Sequence, residues 1–250
     1  MNDNTIEKHY SKKHDNLSVK NYSMLIENLS KDDYVFLKSC SVEKLIDLED
    51  WVDFRESWNN LGNDKFMKDG GKYRYRRHSV YSSTPDGNIE LEPHQPHYQS
   101  LDYNTLNGGV ARHFLPIESR FTHGKTLTSV LKLCHSIFGA ISPRFSWHIE
   151  VHQFRIIASN ELSKPTPEGI HRDGVDFVFM MLISRSNISG GETSICNGEG
   201  DVLSKHFLTQ PLESAIINDH NVMHGVTPIF SEDDVTPAHR DMLVVTFKKK

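Results

Sequence analysis

The feature that most constrains the fold is the C-terminal hundred residues, which break into many short apolar runs separated by turn sequences. The turns fall at Ser189-Gly190-Gly191, Asn197-Gly198 and Asn218-Asp219. Many short strands with turns between them indicate a β-sandwich or a β-barrel. The expected strands are Trp147–Ala158, Phe177–Ile183, Thr193–Cys196, Ser214–Ile217, Met223–Pro228 and Met242–Phe247.

The N-terminal part of the chain has a different pattern. Residues 1–20 are polar and charged and predict a loose arm, while residues 21–31 carry apolar side chains at helical spacing. Ser41 resembles an N-cap, and a helix is expected from there through Phe54. The longest helix is expected over residues 123–140, which present one broad apolar face. We therefore expect residues 1–70 to form a helical or mixed extension packed on a mainly β domain of residues 71–250.

Composition and charge argue against several classes of partner. The 28 basic and 33 acidic residues give a formal charge of -5, which argues against a general affinity for nucleic acid. No run approaches the roughly 18 apolar residues of a membrane helix, and the N-terminus lacks a secretory leader. The three cysteines are far apart and form neither a disulfide framework nor a thiolate zinc site. We expect a cytoplasmic protein without a nucleic-acid or membrane partner.

The 15 histidines make a search for metal ligands worthwhile. In an extended strand His171 and Asp173 point to the same face, where an imidazole and a carboxylate hold adjacent positions on a metal ion. His224 follows in a separate segment, Val222 to Pro228. Two histidines and one carboxylate, with the other coordination positions open, form the arrangement of non-haem Fe(II) oxygenases. The open positions suit a bidentate cosubstrate and dioxygen.

Arg240 begins an otherwise apolar strand that continues to Phe247. A guanidinium in such a strand costs free energy unless its charge is paired, and a dicarboxylate would pair it through bidentate contacts. The alternative is an edge-strand arginine whose charge is solvated.

Several segments, taken in order, carry a family resemblance. They are similar to the Fe(II)/2-oxoglutarate dioxygenases, and more narrowly to the bacterial free-amino-acid hydroxylases that include L-isoleucine dioxygenase. The resemblance covers residues 70–248. The segments that carry it are Arg74-Tyr75-Arg76, Tyr98-Gln99-Ser100, Tyr103-Asn104, Gly108-Gly109, Arg112, Phe114, His152-Gln153, His171-Arg172-Asp173, Ser189-Gly190-Gly191-Glu192-Thr193, Pro211-Leu212-Glu213-Ser214, His224-Gly225-Val226-Thr227-Pro228 and Arg240–Phe247.

The resemblance implies a fold, a cofactor and a reaction. The fold is a double-stranded β-helix, the cupin-like jelly roll, with flanking helices. The implied iron ligands are His171, Asp173 and His224, and Arg240 is the implied partner of the distal carboxylate of 2-oxoglutarate. The implied reaction uses 2-oxoglutarate and dioxygen to hydroxylate a free L-amino acid with an aliphatic or thioether side chain, and releases succinate and carbon dioxide.

The sequence constrains the choice of substrate-binding residues less than the choice of metal ligands. Arg76 or Arg112 could hold the carboxylate of an amino acid, or both could belong to a basic surface. Gln153 and Arg155 share a strand face, and the side chain of one of them could point into the barrel. We expect Gln153 there, beside the cosubstrate, because an unpaired buried arginine costs more free energy.

Other interpretations remain open at this point. The same chemistry could act on a peptide, a protein or another small metabolite, or the chain could be a cupin-like metal-binding protein without oxygenase activity. His220 and His224 have the spacing of a helical zinc pair, but the neighbouring Asn218-Asp219 and Asn221 favour a turn. His94 and His97 lie among prolines and are expected in a loop away from any site.

Overall fold

The computed structural model describes residues 22–104, 106–159, 162–233 and 235–250. The predicted loose arm, residues 1–20, lies outside these ranges. The helices are α1 (residues 22–32), α2 (Ser39–Val42), α3 (Trp51–Glu56), α4 (Ser119–Thr122) and α5 (Lys125–Ile141), with a 3-10 turn at Ser57–Asn60. The strands are β1 (Tyr34–Leu37), β2 (Gly62–Asn63), β3 (Arg74–Ser83), β4 (Ile89–Leu91), β5 (Trp147–Ile157), β6 (Phe177–Ser186), β7 (Ile188–Gly190), β8 (Glu192–Cys196), β9 (Val202–Phe207), β10 (Ser214–Asn218), β11 (Met223–Val226), β12 (Ile229–Ser231) and β13 (His239–Lys249).

The strands form one large sheet and two small ones. The large sheet has the order β1-β10-β6-β13-β5-β3-β2, with β4 paired to β3, and its strand pairs are antiparallel. The small sheets have the orders β11-β8-β9 and β12-β7. The connections between large and small sheets give the double-stranded β-helix, or jelly roll, with flanking helices that the sequence predicts.

The large sheet packs its two faces against different partners. Alternate residues of β5, including Trp147, Ile149 and Val151, are fully buried in the same core as helix α5. Phe138 of α5 stacks on Phe177 of β6 with ring centroids 4.5 Å apart. Each such buried side chain contributes roughly 1.5–3 kcal/mol. The other face of the sheet is free of the helices and lines a cavity.

Residues before position 71 contribute to the large sheet itself. Strand β1 pairs with β10 at one edge, and β2 pairs with β3 at the other. The described part of the predicted extension therefore completes both edges of the jelly roll. Among the residues the structure describes, no helix has the length and apolar character needed to cross a membrane.

The predicted helix from Ser41 through Phe54 is wrong as a single element. The structure forms α2 and α3 with a turn between them. In that turn the Asp47 carboxylate accepts a hydrogen bond from the Glu49 backbone N–H. The Asp50 carboxylate accepts another from the Thr126 backbone N–H at the start of α5. Short acidic side chains that bond to nearby or facing backbone compete with helix continuation, and here they anchor the turn to α5.

The predicted strands of the C-terminal half are present, with some different ends. The strand predicted over Met242–Phe247 extends to His239–Lys249, because it pairs along its length with β5 on one side and β6 on the other. The predicted helix over residues 123–140 is α5, which begins at Lys125 and ends at Ile141.

Candidate active site

A cavity of about 390 Å³ lies on the face of the large sheet that the helices leave free. Alternate residues of β3, β5 and β13 line one wall, and β11 with the loops at residues 97–104 and 165–175 forms the rest. The charged and polar side chains that line it are Arg74, Arg76, His97, Tyr98, Gln99, Ser100, Tyr103, Asn104, Arg112, His148, Glu150, His152, Thr166, Glu168, His171, Asp173, His224, Arg240, Thr246 and Lys248.

The structure brings His171, Asp173 and His224 together at this cavity. Nε2 of His171 lies 3.6 Å from Oδ1 of Asp173, and Nε2 of His224 lies 3.7 Å from Oδ2 of the same carboxylate. One ligand atom from each residue lies within 4.8 Å of the others. His224 is on β11, His171 pairs with it as an isolated bridge, and Asp173 is in the loop before β6.

The Asp219 side chain holds the loop that carries Asp173. Its carboxylate accepts hydrogen bonds from the backbone N–H groups of Asp173, Gly174 and Val175 at 3.0, 2.8 and 3.2 Å. Gln99 approaches from the other side, where its Nε2 donates to Oδ1 of Asp173 at 3.2 Å and to its carbonyl oxygen at 3.1 Å. Burial and the nearby charge of Asp173 raise the pKa of Asp219 to about 6.

Asp173 and His224 are in the protonation states that a metal ion requires, whereas His171 must lose a proton before it can bind one. Nδ1–H of His171 donates to the carbonyl of Gly169 at 3.0 Å, so its Nε2 carries the lone pair in the neutral ring. Burial opposes ionisation of Asp173, but the hydrogen bond from His171 and the histidine charges outweigh burial and lower its pKa. The same partnership raises the pKa of His171 to about 9, so a proton and a metal ion compete for Nε2. Burial lowers the pKa of His224 to about 4, which leaves a neutral ligand.

These residues fit a metal ion with open coordination positions. Two imidazole nitrogens and a carboxylate are the donors that non-haem Fe(II) prefers, and they converge from one side on a cavity. Nδ1 of His224 is buried without a hydrogen-bond partner. By contrast, His220 is turned outward, with Nε2 3.0 Å from Oδ1 of Asp176, so the helical zinc pair is not formed.

Arg240 lines the cavity and is 3% exposed. No carboxylate of the described residues lies within ion-pair distance of it, and its Nε has no hydrogen-bond partner. Burial, together with the like charge of Arg185, lowers the pKa of Arg240 to about 10. A buried guanidinium without a counter-ion is ready to bind an anion.

The Gly190-Gly191 turn makes room beside Arg240. Both residues have positive φ, +75° and +77°. A Cβ on Gly190 would lie 2.1 Å from the carbonyl oxygen of Pro228. A Cβ on Gly191 would lie 3.0 Å from the Arg185 guanidinium and 3.5 Å from Cδ of Arg240. The two glycines therefore allow this turn to pass close to the arginines.

A second group of arginines lines the cavity from β3 and from the segment that pairs with His97. Asp64 lies 2.8 Å from Nε of Arg74 and 3.8 Å from the guanidinium of Arg76. The Arg76 guanidinium is held between two aromatic rings, 3.8 Å from the centroid of Phe114 and 4.4 Å from that of Phe154. This stacking fixes the plane and the orientation of the Arg76 guanidinium.

Arg112 is oriented differently. Its backbone exchanges two hydrogen bonds with His97, at 3.0 and 2.9 Å. Its guanidinium donates to Oε1 of Gln99 at 3.1 Å, and its Nε has no partner. Gln99 thus connects Arg112 directly to Asp173.

Four histidines surround Glu150 on the β5 wall. His97 and His152 approach its Oε2 at 2.6 and 3.3 Å, while His78 and His148 approach its Oε1 at 3.6 Å each. Burial lowers the pKa of His97 to about 4 and lowers that of His78 and His152. Burial opposes ionisation of Glu150, but the four surrounding histidines outweigh burial and lower its pKa.

The tautomer of His152 follows from Arg76. A guanidinium only donates, so Nδ1 of His152, 2.7 Å from the Arg76 guanidinium, accepts. Its Nε2 therefore carries the proton and donates to Glu150. His78, His97, Glu150 and His152 have ligand atoms within 4.8 Å of one another. The tautomer leaves His152 without a free Nε2 lone pair, which favours a hydrogen-bond network over a second metal site.

The expectation for Gln153 does not fit the structure. Gln153 is on the opposite face of β5 from Glu150 and His152, fully buried, and its Nε2 donates to Oγ of Ser57 at 2.8 Å. It does not line the cavity. Successive side chains of a strand point to opposite faces, and Gln153 is on the same face as Ile149 and Val151, which belong to the helix-side core. The Gln153 side chain therefore does not reach the cavity in which a cosubstrate would bind.

Several cavity residues were not found from the sequence. His97 was expected in a loop away from the site, yet it contacts Glu150. Gln99, Glu168 and Asp219 lie in irregular segments, where no periodicity indicates which way a side chain points. The one available pattern was His148-x-Glu150-x-His152, whose alternation places three polar side chains on one strand face.

Comparison with known proteins bears on this arrangement. The sequence profile of the 2OG-Fe dioxygenase family matches residues 55–246. The chain is 30% identical over 181 residues to a protein named L-isoleucine-4-hydroxylase from Bacillus thuringiensis, covering 70% of this chain and 74% of the relative. It is 25% identical over 223 residues to a 3(1)-hydroxy-L-isoleucine 4-dioxygenase from Pantoea ananatis, covering 86% and 89% of the two chains.

A solved structure agrees closely in fold. The crystal structure of a bsmA homolog from Methylobium petroleophilum PM1 has a TM-score of 0.83 and 34% sequence identity. The match covers 91% of this chain and 92% of that chain.

Proposed function

This chain belongs to the 2OG-Fe dioxygenase family, and we propose that it hydroxylates a free L-amino acid with an aliphatic or thioether side chain. The family uses Fe(II), 2-oxoglutarate and dioxygen, which the triad and the cavity accommodate. The products are the hydroxylated amino acid, succinate and carbon dioxide. The names of two relatives, an isoleucine hydroxylase and a hydroxyisoleucine dioxygenase, support an amino acid as the substrate.

The observation that carries the proposal is that one cavity contains two buried arginines, Arg112 and Arg240, that have no carboxylate partner among the described residues. Arg240 is on β13, and Arg112 is on the segment that covers the opposite part of the cavity near Gln99. Neither has a carboxylate of the described residues within ion-pair distance. Two anions are therefore expected to bind at once. One is 2-oxoglutarate, and the other is a substrate that carries its own carboxylate.

Charge favours Arg112 over Arg76 as the residue that binds this carboxylate. Arg74 and Arg76 share the carboxylate of Asp64, and Arg76 also donates to His152. Arg112 makes only a neutral hydrogen bond, to Gln99. Arg76 then contributes a fixed positive field at the substrate carboxylate, and Arg112 supplies the direct contact.

The walls of the cavity suit an apolar side chain. Met180 of β6, Met242 and Val244 of β13, and Val175 line it beside the charged groups. A charged or strongly polar substrate side chain would lose its hydration against these residues without a partner. Methionines accommodate ligands of different shape, which suits both aliphatic and thioether side chains.

The protein residues position the reactants. His171, Asp173 and His224 are the proposed iron ligands, and the iron supplies the oxidising chemistry once 2-oxoglutarate and dioxygen are bound. Arg240 orients 2-oxoglutarate through its distal carboxylate. Asp219 and Gln99 hold the Asp173 carboxylate in place by hydrogen bonds to its backbone and to its side chain. Positioning of this kind decides which C–H bond lies in reach.

The test is a screen of the standard amino acids with Fe(II), ascorbate and 2-oxoglutarate, in which product is detected as a mass increase of one oxygen. We expect at least one aliphatic or thioether amino acid to be converted, with matching succinate. If peptides or other metabolites are hydroxylated and no free amino acid competes with them, the substrate proposal is wrong while the dioxygenase assignment stands.

A further inference from the structure

Two oppositely charged side chains, one buried and one half-buried, line the cavity beside the metal triad without pairing. Arg112 is 2% exposed, and the Glu168 side chain is 11% exposed. Both line the cavity, yet they form no ion pair within 4.0 Å. Opposite charges in a low-dielectric site attract strongly, so their separation needs a structural cause.

A chain of amide side chains provides that cause. Arg112 donates to Oε1 of Gln99 at 3.1 Å, and Nδ2 of Asn104 donates to the same oxygen at 3.1 Å. Nδ2 of Asn104 also lies 3.4 Å from Oε1 of Glu168. The two amides are buried and hold the guanidinium and the carboxylate at a fixed spacing.

Each charged group keeps one unused atom. Nε of Arg112 and Oε2 of Glu168 are both buried and have no hydrogen-bond partner. Burying a charged group with an unpartnered atom costs free energy, and this cost is offset when a ligand of opposite charge binds the part of the group that lines the cavity. The ligand must bring an acceptor to Arg112 and a donor to Glu168 at the same time.

Glu168 is better suited to this donor than the other carboxylates that line the cavity. Both oxygens of Glu150 face histidines, which approach within 2.6–3.6 Å. Asp173 faces His171, His224 and Gln99. Among the buried carboxylate oxygens of the described lining residues, only Oε2 of Glu168 has no hydrogen-bond partner.

We infer that Glu168 binds the α-ammonium group of the substrate while Arg112 binds its α-carboxylate, so that the zwitterion bridges the gap between them. This inference rests on the proposed function and narrows its substrate class. The substrate must carry an ammonium group and a carboxylate group on the same carbon. Oε1 of Glu168 is 3.7 Å from Nε2 of His171, which places the ammonium subsite beside the metal triad.

The test compares two probes on the anaerobic enzyme loaded with Fe(II) and 2-oxoglutarate. One probe is the best amino acid from the screen. The other is the same acid with hydrogen in place of the ammonium group, which is 3-methylpentanoate when the amino acid is L-isoleucine. Binding is measured by calorimetry for the wild type, for Glu168→Gln and for the surface control Glu199→Gln, whose side chain is exposed.

The Glu168→Gln change keeps an acceptor for Asn104 and removes the charge. We expect the Kd of the amino acid to rise about tenfold or more, as for a hydrogen bond to a charged group, and the Kd of the deaminated acid to change little. The Glu199→Gln control should bind both probes like the wild type. Iron content, measured by mass spectrometry, should be unchanged in both variants.

Three results would overturn the inference. One is an unchanged Kd of the amino acid in Glu168→Gln, and another is an equal loss for both probes. The third is a loss of iron from Glu168→Gln, which would assign the carboxylate to the metal site. If the wild type converts no amino acid at all, the proposed function fails first and this inference with it.

Discussion

The backbones of His171 and His224 exchange two hydrogen bonds, each 2.9 Å long. This reciprocal bridge connects residues from two different segments of the chain and sets their ring centroids 4.5 Å apart. Because these backbone hydrogen bonds fix the relative position of the two residues, the metal-binding geometry does not depend on contacts between the imidazole side chains. The site is therefore preformed.

This bridge leads to the first prediction. His171→Ala and His224→Ala should each abolish succinate formation and lower iron content, with little change in the melting temperature. The backbone bonds remain, and the removed imidazoles contact a cavity instead of the core. Iron analysis, turnover assays and thermal unfolding monitored by circular dichroism check this. Near-normal turnover of either variant at limiting iron would remove that residue from the ligand set.

The second prediction concerns Arg240. Arg240→Ala should raise the KM for 2-oxoglutarate far more than the KM for the amino acid, because a buried charge-assisted contact is lost. Truncating one partner of such a pair costs on the order of 2–5 kcal/mol. Lys248→Ala, on the same face of β13 at its far end, is the control and should leave the cosubstrate KM unchanged. Equal KM values for 2-oxoglutarate in the wild type and Arg240→Ala would show that another group binds it.

The third prediction concerns Gln99, which bonds to both Arg112 and Asp173. Gln99→Leu removes these hydrogen bonds, together with those to the Asp173 carbonyl and from Asn104, and keeps a similar volume. We expect iron affinity or turnover to fall by about 10–100-fold, as for other residues that support a metal ligand. Gln210→Leu, at an exposed position, is the matched control. Unaltered iron affinity and turnover in Gln99→Leu would mean that Asp219 alone suffices to hold Asp173.

The fourth prediction is a pH dependence of stability from His97. Burial, helped by the positive charges of Arg76 and Arg112, outweighs the opposing effect of Glu150 and lowers the pKa of His97 to about 4, whereas an unfolded histidine titrates near 6.5. Below about pH 6.5 the unfolded chain therefore binds a proton that the folded protein does not. Stability should be highest above that pH and should fall toward about pH 4, by up to about 1.4 kcal/mol per pH unit for this one group.

Urea unfolding of the wild type and of His97→Gln between about pH 7.5 and about pH 5 measures this effect. The free energy of unfolding of the variant should depend less steeply on pH, because one of the buried neutral histidines is gone. His78 and His152, whose pKa values are lowered in the same direction, account for a remaining slope. Parallel slopes for the two proteins would exclude His97 as a contributor.

The parts of the fold that the sequence predicts are those with regular periodicity. Strand β13 alternates between the helix-side core, with Leu243 and Val245, and the cavity, with Met242 and Val244. That alternation predicted a β-sandwich or a β-barrel. The family resemblance carried by the ordered polar motifs then implied the jelly roll and the ligand set of His171, Asp173 and His224. Arg240 was predicted because a charge in an apolar strand needs a partner.

The errors have equally specific causes. Gln153 has the strand parity of Trp147, Ile149 and Val151, which pack against the helices, so an alternation analysis that included these apolar residues would have placed it correctly. The roles of Gln99 and Glu168 depend on irregular segments that are brought together only by tertiary contacts. The break between α2 and α3 depends on a hydrogen bond that the Asp50 carboxylate accepts from the Thr126 N–H of α5, a contact remote in sequence.

The most direct test of the account is a reaction of the wild type with its best amino acid under isotopically labelled dioxygen. The account predicts that one labelled oxygen atom enters the amino acid and one enters succinate, in equal amounts, and that omitting Fe(II) or substituting His224→Ala abolishes both. Succinate formed without a labelled amino acid, across all the standard amino acids, would contradict the claim that this cavity hydroxylates a free amino acid.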